Sequence, residues 1–386
     1  MERFHSPNLD HLRAIAVLSV WGHHVYAHTG VGIPFIQTYG GLVGVQLFFV
    51  ISGYLISDSA LRHSARDFAL HRVLRIFPAY WVAYFAFGLY RGTLSWDHIS
   101  AEPLAFLLNV LNLQQLHAVA LFEFDVIHVS WSLTVEVLWY LVAPLAAIGF
   151  LSRPLLTFAG LAAVSLGWYF LAVSEATTTT AATVTASPLL ALLYQSGLDG
   201  MSPPANAVQR HVLMAATFPP QLVFFGLGAL AHRYRQPLAA TPSWAWLLAG
   251  LAILGAAPVY AHDLLYGTYL IGVGVALVFA GLLLAPPLRL TPLNYIGQIS
   301  YSIYLLHFAV LVWAKARFAR FGDPLGIGDI YLWAAVAMTL LLASVMYRWV
   351  EQPGMRLARR LSSGASRPRP PEGQIPPDNP VYGFPR

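Results

Sequence analysis

The sequence predicts an all-α integral membrane protein, and its composition and segment lengths are the observations behind that prediction. Of its 386 residues, 57% are hydrophobic and 10% are charged, whereas charged residues make up about a quarter of a typical soluble chain. Several largely uncharged stretches of roughly 18 to 22 residues are long enough to cross about 30 Å of hydrocarbon as helices. The sequence lacks the alternating ten-residue segments that are typical of a membrane β-barrel.

Eleven hydrophobic segments are candidate spans, and the distribution of charge reduces the predicted crossings to ten. With eleven crossings, the later arginine clusters and the cluster at 62–75 would lie on opposite sides of the membrane. Arginine prefers the cytoplasmic side, so this arrangement is unfavourable. Segment 104–121 is the weakest span, and we expect it to be re-entrant because five polar residues interrupt it: Asn109, Asn112, Gln114, Gln115 and His117. The other segments lie near 12–28, 40–57, 77–91, 133–151, 154–173, 211–231, 244–260, 266–285, 298–317 and 329–350.

This topology predicts one membrane domain, 1–360, with both termini in the cytoplasm. Residues 361–386 are rich in proline and polar residues and are predicted to form a disordered cytoplasmic tail. The net charge of +5 is more useful as a topology marker than as evidence of a nucleic-acid partner, and we expect none. Because the chain contains no cysteine, thiolate nucleophiles and disulfides are excluded.

The first span carries ionisable residues at helical spacing. Arg13 precedes His24 by eleven residues, or about three turns and about 16 Å of helix, so both lie near one face. Asp10 is one turn before Arg13 on that face, whereas His23 points elsewhere. A neutral imidazole at this depth can accept a proton from a hydroxyl group. Alternatively, Asp10 caps the helix while Arg13 extends to the membrane interface.

Two further groups lie on the cytoplasmic side. Ser52 offers a hydroxyl group beside Gly53, in a span whose glycines also favour close helix packing. Arg72 and Arg75 stand one turn apart on a predicted short amphipathic helix that Pro78 ends. Two guanidinium groups at this spacing suit phosphate groups. Attachment to anionic lipid is the alternative interpretation.

Trp131, Ser132 and Glu136 lie around the outer start of another span. Glu136 is more than one turn inside this span, so it must be protonated, paired or functional. Pairing with an arginine or histidine from another span would explain it without catalysis.

A second polar stripe occurs late in the chain and consists of Ser300, Tyr304 and His307, at i, i+4 and i+7. Such a stripe either joins helices by hydrogen bonds or lines a cavity. At the inner end of the last span, Glu351 either ends the helix and pairs with nearby arginines or belongs to the same functional set.

In order along the chain, these residues resemble the motifs of the acyltransferase-3 family of membrane O-acyltransferases. The resemblance covers almost the whole sequence and rests on Arg13 with His24, on Gly44, Val45, Phe48, Phe49, Ser52, Gly53, Tyr54 and Leu55, on Arg72, Arg75 and Pro78, on Trp131, Ser132, Leu133 and Glu136, on Ser300, Tyr301, Tyr304, Leu305 and His307, and on Glu351 with Pro353. The sequence departs from the family at His11 and Ala14, which stand where the family has glycine.

The resemblance implies transfer of an acyl group, usually acetyl, from cytoplasmic acyl-CoA to a hydroxyl group. It implies a multi-pass protein of a bacterial inner membrane, surrounded by membrane lipids, that uses acyl-CoA as a substrate and binds no cofactor or metal. The expected acceptor is a carbohydrate on a surface or lipid-linked glycan, within a family range that extends from lipopolysaccharide O-antigen to macrolides. The implied catalytic residues are His24, Arg13, Asp10 and Glu136, the donor-binding residues are Arg72, Arg75, Ser52 and Gly53, and the acceptor or pocket residues are Trp131, Ser132, Tyr304 and His307.

Within this assignment His24 either removes the proton of the acceptor hydroxyl or briefly carries the acyl group, while Arg13 maintains the geometry and charge of the site. Two other functions remain open on the residues alone. The same histidines, glutamate and arginine could form the proton relay of a transporter that moves a small solute or an acylated glycan. A macrolide-type small molecule is the alternative acceptor.

Overall fold

The structure is a computed structural model that describes residues 7–122, 124–178, 216–261, 264–287, 290–323 and 329–362. No strand occurs among these residues, so the all-α prediction is confirmed. Their α-helices are α1 (Pro7–Thr29), α2 (Pro34–Arg62), α3 (Ala65–Arg91), α4 (Trp96–Ala101), α5 (Pro103–Val110), α6 (Ala118–Phe122), α7 (Trp131–Ser152), α8 (Pro154–Thr178), α9 (Phe218–Arg233), α10 (Arg235–Ala239), α11 (Ser243–Gly255), α12 (Ala257–Tyr260), α13 (Leu264–Leu284), α14 (Thr291–Gln298), α15 (Ser300–Phe318), α16 (Ile330–Met346) and α17 (Gln352–Leu361).

Seven helical stretches within the described ranges are long and apolar enough to cross a membrane. They are Pro34–Arg62, Ala65–Arg91, Trp131–Ser152, Ser243–Tyr260, Gly267–Leu284, Ser300–Phe321 and Ile330–Leu361. Three further predicted spans coincide with α1, α8 and α9. Helix α1 carries two charged residues and four histidines. The apolar part of α8 is the shorter stretch Pro154–Phe170, and α9 has only 16 residues. The chain is therefore a multi-pass membrane protein, and the count of ten crossings stays a prediction.

The prediction that Pro78 ends a short helix is wrong, because α3 continues through it as far as Arg91. A proline inside a helix cannot donate to the carbonyl four residues earlier, which here belongs to Leu74. Gly354 of α17 packs on that carbonyl so closely that a Cβ there would lie 2.3 Å from its oxygen. Packing of α17 on α3 therefore covers the backbone group that Pro78 leaves without its helical partner.

The predicted interruption at 104–121 is confirmed, although re-entry into the membrane stays a prediction. The segment contains α5, a 3-10 turn (Gln114–Leu116) and α6 in place of one helix. Asn112 has a left-handed backbone with φ of 54°. The amide of Asn109 donates to the carbonyls of Ala105 at 3.1 Å and Ala120 at 2.6 Å, so it joins the two short helices.

Helix α2 packs against α1, α7, α9 and α13. The α2–α9 crossing depends on two glycines. A Cβ at Gly53 would lie 2.0 Å from the Phe225 carbonyl oxygen, and a Cβ at Gly228 would lie 2.0 Å from that of Val50. Because any side chain would force these backbones apart, the crossing requires glycine on both helices.

The ends of the helices define two sides of the molecule. Residues from the start of α1 and the ends of α2, α7, α9 and α13 line a common cavity, so these termini lie together. We call this side the arginine end, since Arg62 and Arg233 lie there. The opposite side, which we call the far end, includes the end of α1 at Thr29. Most of residues 174–210, between the predicted spans 154–173 and 211–231, lies outside the described residues, as does most of the predicted tail 361–386.

Candidate active site

A cavity of about 100 Å³ lies between α1, α2, α3, α7 and α15 and collects most of the predicted site residues. We call it the arginine cavity. Its charged walls come from three arginines and one glutamate: Arg13, Arg72, Arg75 and Glu136. Other predicted site residues on its walls are Ser52, Ser132 and Tyr304.

The three arginines are held in different ways. Arg13 donates to Asp10, with 3.0 Å between Nη1 and Oδ1, in an ion pair one turn apart on α1. Arg72 donates to Ser59 Oγ at 3.1 Å and lies over the rings of Phe68 and Tyr140, and its buried Nε has no hydrogen-bond partner.

Arg75 makes no hydrogen bond or ion pair with any residue of the described ranges. It lies one turn beyond Arg72 on α3, and both line the arginine cavity. The cavity therefore presents guanidinium donors that the described protein does not occupy, as a site for an anion requires.

Glu136 takes part in hydrogen bonds and in no ion pair of the described part of the chain. Its Oε1 accepts from Ser52 Oγ at 2.9 Å and from Tyr140 OH at 2.6 Å. The bond from Ser52 joins α2 to α7 across the cavity, whereas the bond from Tyr140 lies within α7. With one carboxylate facing three guanidinium groups on its walls, the cavity has an excess of positive charge.

His24 of α1 and His307 of α15 meet on the side of the arginine cavity that is nearer the far end. The distance from His24 Nδ1 to His307 Nε2 is 2.9 Å. His307 Nδ1 lies 2.8 Å from the Tyr304 carbonyl and 3.1 Å from that of Ile303, so it carries a proton that it donates to the backbone. His307 Nε2 must then accept from His24 Nδ1–H. This chain leaves a lone pair on His24 Nε2, the atom that a general base uses.

An aromatic ring surrounded by imidazoles lies next to His24. Phe308 packs against the rings of His24, His28 and His128, with centroids 5.2, 5.1 and 5.6 Å away. The sequence motifs did not identify Phe308 or Tyr140. Their positions, one residue after His307 and one turn after Glu136, could have suggested both.

The loop before α7 is held in place by the buried carboxylate of Asp125. Asp125 accepts from Ser130 Oγ at 2.5 Å and from the backbone of His128 at 3.0 Å. Burial raises the pKa of Asp125 to about 6, and it lowers the pKa of His128, which has a left-handed backbone with φ of 61°.

Tyr304 joins this loop to the cavity. Its hydroxyl donates to the Val129 carbonyl at 2.9 Å and lies 2.6 Å from Ser132 Oγ. One turn further along α15, His307 forms the imidazole pair. Tyr304 therefore lies between the arginine cavity and His24.

Two predicted site residues face elsewhere. Gly53, expected among the donor-binding residues, packs against the Phe225 carbonyl of α9, which explains its size without a ligand. Trp131 is not one of the described residues that line the arginine cavity, and its carbonyl accepts from Gln115 Nε2 at 3.0 Å.

Glu351 does not end a helix, because the chain continues through the short π-helix Tyr347–Glu351 into α17. Its carboxylate is buried and accepts a hydrogen bond from Ser302.

No group of three metal-ligating side chains occurs within the described ranges.

Comparison with known proteins gives the family. The acyltransferase domain profile of the acyltransferase-3 family matches residues 6–349. Nodulation protein 10 of Rhizobium leguminosarum bv. viciae is 27% identical over 406 residues, covering 93% of this chain and 97% of that protein. A Staphylococcus aureus (strain COL) protein provisionally named as an O-acetyltransferase is 24% identical over 90% of this chain and 57% of its own length.

A Bacillus subtilis (strain 168) protein, YrhL, is provisionally named as a peptidoglycan O-acetyltransferase and is 25% identical over 90% of this chain. The chain spans little more than half of the Staphylococcus and Bacillus relatives, 57% and 54% of their lengths. No solved structure matches the sequence. Because the family profile matches nearly the whole chain, the protein belongs to the acyltransferase-3 family.

Proposed function

We propose that this membrane acyltransferase transfers an acyl group, with acetyl as the expected group, from acyl-CoA to a hydroxyl group of a carbohydrate. Membership of the family supports O-acyl transfer. The donor and acceptor are inferred from the charges of the site and from its relatives. The observation that carries the proposal is that α1 and α15 line a cavity with three arginines and, beyond Tyr304, hold His24 with a free lone pair on Nε2.

The donor binds from the arginine end. The arginine cavity, at about 100 Å³, is far smaller than the pockets of roughly 300 Å³ or more that enclose whole drug-sized ligands. We therefore expect the cavity to admit the thioester arm of acyl-CoA while the nucleotide remains outside. Arg72 and Arg75 then bind the diphosphate that joins this arm to the nucleotide, because planar guanidinium groups can donate two hydrogen bonds to one phosphate. Arg13, already paired with Asp10, contributes positive charge deeper in the cavity.

The acceptor approaches from the far end and meets His24. Its hydroxyl oxygen attacks the thioester carbonyl while its proton moves to His24 Nε2. The carbon–sulfur bond breaks, and the CoA thiolate takes up a proton in turn, so that the imidazole returns to its neutral form. If His24 instead carries the acyl group, the same lone pair forms that bond first.

A glycan is the acceptor we propose. The protein provisionally named as a peptidoglycan O-acetyltransferase supports a polysaccharide, and the Phe308 ring offers an apolar surface next to His24. We place the arginine end in the cytoplasm of a bacterial inner membrane, where arginine-rich segments are retained and where acyl-CoA is available.

The test is release of CoA by the purified protein in detergent. With acetyl-CoA and a panel of bacterial glycans, we expect free CoA to form only when an acceptor is present, and an O-acetyl signal to appear on the glycan by NMR. His24→Ala is the matched inactive control. An absence of turnover with every acyl-CoA and glycan, together with solute movement in sealed vesicles, would favour the transporter instead.

A further inference from the structure

A second cavity lies at the arginine end, on the other side of α2 from the arginine cavity. Its volume is about 450 Å³. Tyr54, Ser57 and Leu61 of α2 line this second cavity, whereas Ser52 and Ile56 line the arginine cavity. Helix α2 therefore separates the two, and the second cavity is not needed to explain the motif residues.

The charge of the second cavity is strongly positive. Arg62, Arg233 and Arg235 line it together with His232, and no aspartate or glutamate is among its described lining residues. Arg235 makes no hydrogen bond or ion pair with the described part of the chain.

Arg233 is more constrained than Arg235. Its Nε is buried without a hydrogen-bond partner, and its guanidinium carbon lies 5.7 Å from the centroid of the Tyr234 ring. A buried unpartnered donor costs free energy, which an anionic ligand in this position would recover.

The remaining walls are apolar. Leu61 from α2, Phe150 and Leu151 from α7 and Leu284 from α13 line the cavity beside the arginines. Leu151 is 43% exposed on the outside of the helix bundle. A ligand with a phosphate group on an apolar chain could bind both the arginines and the apolar walls. Basic pockets between membrane helices at this level are typical binding sites for anionic lipid headgroups.

We propose that the second cavity binds the phosphate group of an anionic phospholipid, with an acyl chain against the leucines of α7 and α13. The lipid contacts α2 and α9, whose glycine-dependent crossing lies next to it. Lipid occupancy therefore stabilises the position of α2, whose opposite face carries Ser52 in the arginine cavity. This binding site does not depend on the proposed donor or acceptor.

The experiment is a titration of the purified full-length protein in detergent with short-chain phosphatidylglycerol, and with phosphatidylcholine of the same chain length. We expect phosphatidylglycerol to bind and to raise the melting temperature, and phosphatidylcholine to do neither. The double variant Arg233→Gln, Arg235→Gln should weaken phosphatidylglycerol binding about 30-fold, since each arginine near an anionic lipid contributes about fivefold.

Arg359→Gln is the matched control, because it removes the same charge from an exposed position on α17. If the double variant does not fold, Arg235→Gln alone should weaken binding about fivefold. Equal binding of the two lipids, or equal stabilisation by inorganic phosphate, would overturn the proposal. Displacement of phosphatidylglycerol by acetyl-CoA, lost in the Arg233 and Arg235 variant, would assign the cavity to the acyl donor instead.

Discussion

The two ends of the α1–α15 interface differ in the chemistry that they hold. At one end, Arg13 lines a cavity with two further arginines and an excess of positive charge. At the other end, His24 and His307 form a pair surrounded by aromatic and imidazole rings. In the proposed function, the same helices carry charge for donor binding and an imidazole for proton transfer. This separation suggests that donor affinity and the chemical step can be changed independently.

The largest expected effect is at His24. We predict that His24→Ala lowers kcat by about 10²–10⁴, the usual contribution of a general base, because the variant lacks the Nε2 lone pair that accepts the hydroxyl proton. The measurement is acetyl-CoA-dependent CoA release. His23→Ala is the control, since His23 Nδ1 bonds to the Gln37 carbonyl at 2.8 Å and the ring is not in the His24–His307 chain. Equal activity of His24→Ala and the parent would contradict the assignment.

At the opposite end we predict changes in donor KM. Arg72→Ala and Arg75→Ala should each raise the KM for acetyl-CoA about tenfold to a hundredfold, because a hydrogen bond to a charged group contributes about 1.5–3 kcal/mol. Lysine at either position should restore affinity only in part, since a point charge lacks the planar fork of guanidinium. Unchanged KM values in both alanine variants would leave these arginines with a role in topology alone.

A smaller effect is expected at His307, which we assign as a positioning residue for His24. His307→Leu removes the acceptor for His24 Nδ1–H, so kcat should fall about tenfold or more while the KM for acetyl-CoA stays the same. His307→Gln should recover part of the loss, because its amide oxygen can accept the same hydrogen bond. If His307→Gln has the same kcat as His307→Leu, His307 does not act by orienting His24.

The smallest predicted effect concerns pH and Asp125. Its folded pKa of about 6 is above its ordinary value of 3.8, so the folded state favours the protonated form. The resulting stability is fully present below about pH 4 and is lost as the pH rises through about 6. Relative to Asp125→Asn, the melting temperature of the parent should therefore fall across this range. The comparison with asparagine isolates Asp125 from His128, whose lowered pKa acts in the opposite direction. A constant difference between the two proteins would contradict the prediction.

The sequence was sufficient to predict an all-α, multi-pass membrane protein, because both properties follow from local composition and spacing. Arg13 and His24 share a helix face through their separation alone, and the break near Asn112 follows from polar residues in an apolar segment. Helix α3 differs because it continues through Pro78, and the carbonyl that Pro78 leaves without its helical partner is covered by Gly354, from another part of the chain.

The arrangement of the site could not be predicted in the same way. His24 and His307 are 283 residues apart, and the tautomer of the pair depends on which carbonyls face His307 Nδ1. Gly53 matched a family motif, yet its neighbour is the Phe225 carbonyl of α9. Contacts between distant segments decide both cases, and local periodicity carries no information about them.

The most direct test of the separation between binding and chemistry is calorimetric titration of acetyl-CoA into two purified variants, alongside CoA release. We predict that His24→Ala binds acetyl-CoA with the Kd of the parent and yet releases CoA about 10²–10⁴ times more slowly. The double variant Arg72→Ala, Arg75→Ala should lose measurable affinity while remaining folded. Loss of acetyl-CoA binding in His24→Ala, or parental affinity in the arginine variant, would contradict the account.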